Sequence, residues 1–385
     1  MRGGNVGRGG GTVNGLFRKF STYGARSPCP SKIWRRVGLR RDVSLPFTAR
    51  LLPPLPRPLM PSTIATLIHQ SLDYAGLFPP AALPVRAALQ QFAEERAANS
   101  AGMLSRFVCP VLRLEELAAS LTGDESPLNI AVLPRGGKSA GEFLANLETD
   151  LAIIRRIAEL QRGAVEIDVV EVRPPNDALQ QPALRKLLAA VEALLSRRAP
   201  EVRQVFVELA PGPQLASQLE LLADATVRSG ADDAPTLGYK LRTGGSDTAA
   251  VPAPALVASA LVAAAALRLP MKCTGGLHRP LRGTDANPLH GFINLLVAAA
   301  FAASARVEAG VVEAVLEETD PAAFTFDARN IVWKEHTLSA GTIATARETL
   351  LVSFGSCYAD QPRAELQKLG WWPRSARAKT VGALR

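Results

Sequence analysis

Four cysteines, Cys29, Cys109, Cys273 and Cys357, are scattered through 385 residues with no Cys-x-x-Cys pair among them. That excludes a disulfide framework and fits a reducing, cytoplasmic setting. The four histidines include no His-x-His or His-Glu-x-x-His spacing, so no metal site is expected. No Gly-x-Gly-x-x-Gly follows the first expected strand, which argues against a dinucleotide-binding sheet, and no cofactor is expected. Acidic residues are almost missing from the start of the chain. Of 44 Lys and Arg and 35 Asp and Glu, residues 1–60 hold twelve and one, which leaves 32 bases against 34 acids. The body is therefore near neutral and offers no nucleic-acid surface, despite the net charge of +9. Two uncharged runs, 248–266 and 287–305, approach membrane-spanning length, but alanine dominates both and Pro252 and Pro254 interrupt the first. Both read as packed helices, with no membrane partner.

Residues 1–60 are rich in Gly, Pro and Arg without hydrophobic periodicity, so a disordered basic extension is expected there. It reads as an extension ahead of a natural start at Met60, as a targeting peptide, or as a genuine basic tail. A single folded body is expected over 61–373, and 374–385 form a second basic tail.

Within the body, a helix over 64–72 precedes the turn-rich Asp73-Tyr-Ala-Gly-Leu-Phe-Pro-Pro80, whose apolar side chains call for packing over a barrel mouth or under its bottom. A helix over 85–99 follows. Strands over 107–112, 128–133, 165–172 and 202–209 then alternate with helices over 114–121, 140–161, 182–198 and 214–228. Two similar passages continue the rhythm, Leu237-Gly-Tyr-Lys-Leu-Arg-Thr-Gly-Gly245 and Pro270-Met-Lys-Cys-Thr-Gly-Gly276, with an alanine-rich helix over 255–269 between them and another over 291–303. Six strand–helix units in a row predict an α/β fold, a (β/α) barrel of the TIM type rather than a doubly wound sheet. The rhythm breaks after 305. Phe324-Thr-Phe and Ile331-Val-Trp-Lys suggest a hairpin, and 352–358 a closing strand, so the last units are expected to be irregular.

Period two sorts each strand into faces. Helix-facing positions must be apolar, so the charged sets point inward at the carboxyl ends, where barrel sites lie. Ile167, Val169, Glu171 and Arg173 share one face, with Asp168 on the other; Glu208, Lys240, Arg242 and Lys272 complete a charged ring. The alternative is a self-neutralising layer without chemistry. Lys240 and Lys272 on adjacent strands would lower each other's pKa, the condition for an amine nucleophile or base. Glu171 and Glu208 are the proton carriers. Arg242, Thr243, Gly244 and Gly245, with Arg173, Thr274, Gly275 and Gly276, suit an anion through a guanidinium fork and exposed backbone N–H groups. The bland reading of each Gly-Gly is a tight strand-to-helix turn. His278 is placed as acid/base and His290 as a substrate contact. Cys273, opposite Lys272, reads as packing, and Cys357 is a weaker site candidate.

Lys272-Cys-Thr-Gly-Gly resembles the Lys-x-x-Thr-Gly of the deoxyribose-phosphate aldolase family, one residue shorter. In those class I aldolases a Schiff-base lysine commonly stands on the sixth barrel strand, and the second lysine follows on the next. Here the second lysine, Lys240, falls on the strand before. The Asp73–Pro80 run, Lys-Leu-Arg-Thr-Gly-Gly and Gly-Leu-His also resemble an uncharacterised bacterial (β/α)-barrel family, which implies the fold alone. The expectation is a lyase of aldolase type acting on a small anionic carbonyl compound through an imine at Lys272. An acid–base isomerase or decarboxylase, and a non-catalytic anion-binding barrel, stay open, as does assembly into a homo-oligomer.

Overall fold

Alternation of apolar strands with amphipathic helices has one closed solution when every crossover is right-handed and parallel. In a computed structural model, residues 62–373 are described apart from 99–101, 122–126, 230–234, 246–250, 286–287 and 305–307; the basic extension and the basic tail lie outside the described residues. The strands are β1 (Leu72–Tyr74), β2 (Leu104–Pro110), β3 (Leu128–Leu133), β4 (Val165–Val172), β5 (Gln204–Glu208), β6 (Thr236–Arg242), β7 (Met271–Thr274), β8 (Phe324–Phe326), β9 (Asn330–Trp333), β10 (His336–Ser339) and β11 (Leu351–Ser356). Strands β1 to β7 and β11 close an eight-stranded parallel barrel in sequence order, and β8, β9 and β10 form a separate antiparallel sheet. The expected hairpin is therefore there with one strand more, and it sits between the seventh and eighth barrel strands.

The helices are α1 (Ser62–Ile68), α2 (Val85–Ala98), α3 (Leu114–Ser120), α4 (Ala140–Leu160), α5 (Gln181–Arg198), α6 (Leu215–Ser229), α7 (Pro254–Ala266), α8 (Phe292–Ala302), α9 (Ala309–Glu317), α10 (Ala340–Thr349) and α11 (Gln361–Lys368). Among the described residues, no helix is long and apolar enough to cross a membrane. The run over 287–305 becomes α8, in which every residue from Phe292 to Phe301 is buried. A helix apolar all round must be covered on all sides, and α7, α9 and α10 pack against this one.

Two expectations need correction. The passage after α1 is not only a loop: Leu72, Asp73 and Tyr74 pair in parallel with β11 and β2, so they are the first barrel strand. The Met271–Thr274 strand is then the seventh and Thr236–Arg242 the sixth. On β4 the pairing with β3 slips between Asn129 and Ala131. A bulge of this kind reverses the faces on either side of it. Ile167 accordingly joins the core between barrel and helices, while Val169 packs inside the barrel with Val108, Ala131 and Phe206. Asp168 faces inward instead and pairs with Arg106 of β2, whose Nε donates at 2.8 Å.

Candidate functional site

A cavity of about 540 Å³ opens at the carboxyl ends of the barrel strands, within the usual range for small-molecule sites. Beneath it runs a chain of alternating charges drawn from five strands. Lys272 Nζ lies 2.6 Å from Asp73 Oδ2 and 2.5 Å from Glu171 Oε1. The other oxygen of Glu171 is 2.8 Å from Lys240 Nζ, which also reaches Glu208 Oε2 at 2.9 Å. Arg173, largely exposed, stands 3.8 Å from Glu208 and ends the chain. Ser353 Oγ on β11 donates to Asp73 at 2.7 Å, and the Arg106 N–H donates to its other oxygen. Strand pairing sets this layer: Lys240 is in register with Glu208 on one side and Lys272 on the other, and Lys272 with Ser353.

Carboxylates thus separate the two lysines, and the electrostatics differ from those of neighbouring cations. Burial opposes the charge on Lys272, yet Asp73 and Glu171 outweigh it and raise its pKa above the ordinary 10.5. Burial likewise disfavours the Glu171 carboxylate, but Lys240 and Lys272 override that and hold it down to about 2. Lys272 is fully buried, with its Nζ 5.5 Å from the centre of the Phe206 ring. The expected lowering of the Lys272 pKa is overturned; the acid responsible, Asp73, sat in a passage that reads as loop.

At the rim, Arg242 is exposed, lines the cavity and makes no ion pair among the described residues. Gly245, Thr274, Gly275 and Gly276 line it too. Thr243 and Gly244 do not: the Thr243 hydroxyl donates to the Gly275 carbonyl at 2.9 Å, and a Cβ on Gly244 would stand 3.0 Å from that same oxygen. They fasten one glycine loop to the other. Gly275 has φ +93°, which a side chain would strain, and a Cβ there would meet the Gly244 carbonyl at 2.2 Å.

His278 lines the cavity, and its Nδ1 is 3.0 Å from Ser356 Oγ. That hydroxyl donates to the Tyr358 carbonyl and accepts from the Tyr358 N–H. With its one hydrogen given to the Tyr358 carbonyl, the hydroxyl accepts from Nδ1 of His278, the tautomer that leaves a lone pair on Nε2; with the hydrogen given to Nδ1, Nε2 carries the proton. Burial, then Arg279, lowers the His278 pKa below 6.5. His290 does not reach the site. It is buried, donates from Nε2 to the Pro252 carbonyl at 2.8 Å, and has Arg282 against Nδ1. It ties the loop after β7 to the segment before α7. Cys273 is buried in the packing core, and Cys357 lines the cavity with its Sγ 3.1 Å from the Pro79 carbonyl. Ala75, Phe78, Pro79 and Pro80, from the loop after β1, form one wall, so that loop covers the mouth rather than the bottom.

No protein-family model matches the sequence, and no curated protein matches it. Among solved structures, apo-MsnO8 aligns with 80% of this chain and 100% of its own at 14% identity and a TM-score of 0.36. Malate synthase of Haloferax volcanii, native with glyoxylate, aligns with 72% of this chain and 73% of its own at 12% identity and a TM-score of 0.35. Likeness at this level bears on neither substrate nor reaction.

Proposed function

We propose that the protein is a barrel enzyme of lyase type that forms an imine with a small anionic carbonyl compound, and that the amine is Lys240 rather than Lys272. Both lysines line the cavity, and one observation carries the choice: Lys240, between Glu171 and Glu208, keeps a small accessible surface, while Lys272 has none. The strand count supports it. Lys240-Leu-Arg-Thr-Gly244 fits the Lys-x-x-Thr-Gly pattern without a gap, stands on the sixth barrel strand, and has its second lysine on the strand after. Both departures from the aldolase pattern that arise with Lys272 vanish.

Glu208 takes a proton from the Lys240 ammonium across 2.9 Å. The neutral amine adds to the carbonyl carbon, and the proton returns to the departing hydroxyl. One ammonium and one carbonyl enter; one iminium and one water leave. The iminium draws electrons from the adjacent carbon, where Nε2 of His278 takes or returns the proton. Lys272, held charged, fixes Glu171 and through it Lys240. Arg242 and the loops at Gly245 and Gly275 hold the anion.

A second reading keeps both lysines charged, and the two carboxylates on Lys240, Glu171 at 2.8 Å and Glu208 at 2.9 Å, favour it. Lys240 then stabilises an enolate while His278 moves the proton, as in an isomerase or decarboxylase. Borohydride added with substrate decides between them. The imine predicts a reduced adduct on Lys240, absent in Lys240→Ala; the acid–base reading predicts turnover with no adduct.

A further inference from the structure

The cavity has two unlike sides. Strands β1 to β3 and the loop after β1 present apolar residues: Ala75, Phe78, Pro79, Pro80, Val108 and Leu133. Phe78 and Leu133 pack on the interior cluster of Val108, Ala131, Val169 and Phe206, so this wall is continuous with an apolar layer inside the barrel. Strands β6 and β7 present Lys240, Arg242, His278 and the glycine loops. Lys240 and Arg242 stand two residues apart on one face of β6, so their side chains rise on the same side. Lys240 is engaged by two carboxylates, whereas Arg242 makes no ion pair among the described residues. A carbonyl that meets Lys240 and an anion that meets Arg242 must therefore lie close together in the ligand, and a carboxylate offers the planar pair of acceptors that a guanidinium fork fits.

We infer that the ligand is an α-keto acid with a hydrocarbon side chain, its carboxylate at Arg242, its ketone over Lys240 and its side chain against Phe78, Val108 and Leu133. The carbonyl placement rests on the imine reading above; the amphipathic shape of the ligand does not. A polyhydroxylated chain in the same pose sets hydroxyls against Phe78, Val108 and Leu133, whose side chains replace none of the hydrogen bonds lost to water. The two-sided wall thus selects branched-chain or aromatic α-keto acids over sugar phosphates.

Titration calorimetry on the full chain with unreactive α-hydroxy acids tests this without requiring an imine. Lactate, the hydroxy acid of leucine and phenyllactate form a series of growing apolar chain; glycerate and phosphoglycerate are the polar comparisons. The hydroxy acid of leucine is expected to bind at least tenfold more tightly than lactate, and glycerate no better than lactate. Arg242→Gln should weaken the whole series about tenfold or more. Leu133→Asn should remove the gain from the longer chain, so that the hydroxy acid of leucine binds no more tightly than lactate, and the isosteric Val108→Thr checks the same wall should Leu133→Asn not fold. Equal or tighter binding of glycerate or phosphoglycerate, or no gain along the series, overturns the inference. The two readings fail separately. The binding order with no borohydride adduct from the matching keto acids removes the imine and keeps the ligand class. An adduct on Lys240 formed only with hydroxylated aldehydes does the reverse.

Discussion

Two lysines on neighbouring strands, in register and of the same chemistry, end in different states because of what surrounds each one. Lys272 has lost all contact with solvent and stays charged only because Asp73 and Glu171 touch it. Removing it leaves the buried Asp73 carboxylate without its lysine, while Glu171 keeps Lys240, so Lys272→Ala should cost about 3–5 kcal/mol in urea denaturation. The same pairing sets a pH window. Glu171 is depressed from 4.5 to about 2, so its share of stability is complete above 4.5 and is lost as pH falls toward 2. Lys272 is raised above 10.5, so its share is complete below that value and is lost only as pH rises past the folded pKa. The cluster should therefore contribute a constant stability from about pH 5 to about pH 10, which thermal unfolding of wild type against Glu171→Gln across that range will check. His278 behaves oppositely to a paired histidine. Its pKa is lowered, so the ring stays neutral at neutral pH and titrates below 6.5. Proton NMR of the ring should place the midpoint below 6.5.

At the scale of elements, the crossover rhythm was legible because apolar strands of four or more residues alternate with helices of seven or more. β1 escaped because it has three residues, one of them Asp73, and runs straight into a turn-rich loop. An acid at its centre breaks the apolar signal that a barrel strand otherwise carries, and that acid is what Lys272 requires. Missing this strand shifts the count by one: Met271–Thr274, with Lys272, is the seventh barrel strand, and Thr236–Arg242, with Lys240, is the sixth. The β4 bulge was illegible for another reason: face assignment by period two assumes an unbroken ladder, and nothing in Glu166-Ile-Asp-Val-Val170 marks the slip. Glu171 lies beyond the bulge and faces inward as expected, as do Lys240 and Lys272. Of the residues expected to bind substrate, Arg242, Thr274 and three glycines line the cavity and Arg173 does not, whereas Thr243, Gly244 and His290 hold the loops in place. Loop geometry makes its own prediction. Gly275→Ala combines φ +93° with a collision against the Gly244 carbonyl, and should lower stability by about 1–3 kcal/mol. It should also loosen the rim, weakening binding of any anion in the same titration.

Over the whole molecule, closure depends on joining distant parts of the chain. The carboxylate of Glu95 on α2 accepts from Nε of Arg363 on α11 at 2.6 Å and from its second nitrogen at 2.7 Å. Glu95 is buried, so Glu95→Ala should cost about 3 kcal/mol, while loss of the exposed Arg113–Glu116 pair should leave stability unchanged. Near β1, Arg347 of α10 reaches the carbonyls of His69, Leu351 and Val352 and is lowered by burial to about 10, partly offset by Asp73. These clasps keep the eight strands closed and so hold the charge chain beneath the cavity. The central claim, that Lys240 is the reactive amine at its floor, is tested most directly by incubating the full chain with the α-keto acid of leucine and borohydride, then locating the adduct by peptide mapping. The account predicts a single adduct on Lys240, retained at reduced yield in His278→Gln and absent in Lys240→Ala. An adduct on Lys272, or none where the unreactive hydroxy acid binds, would contradict it.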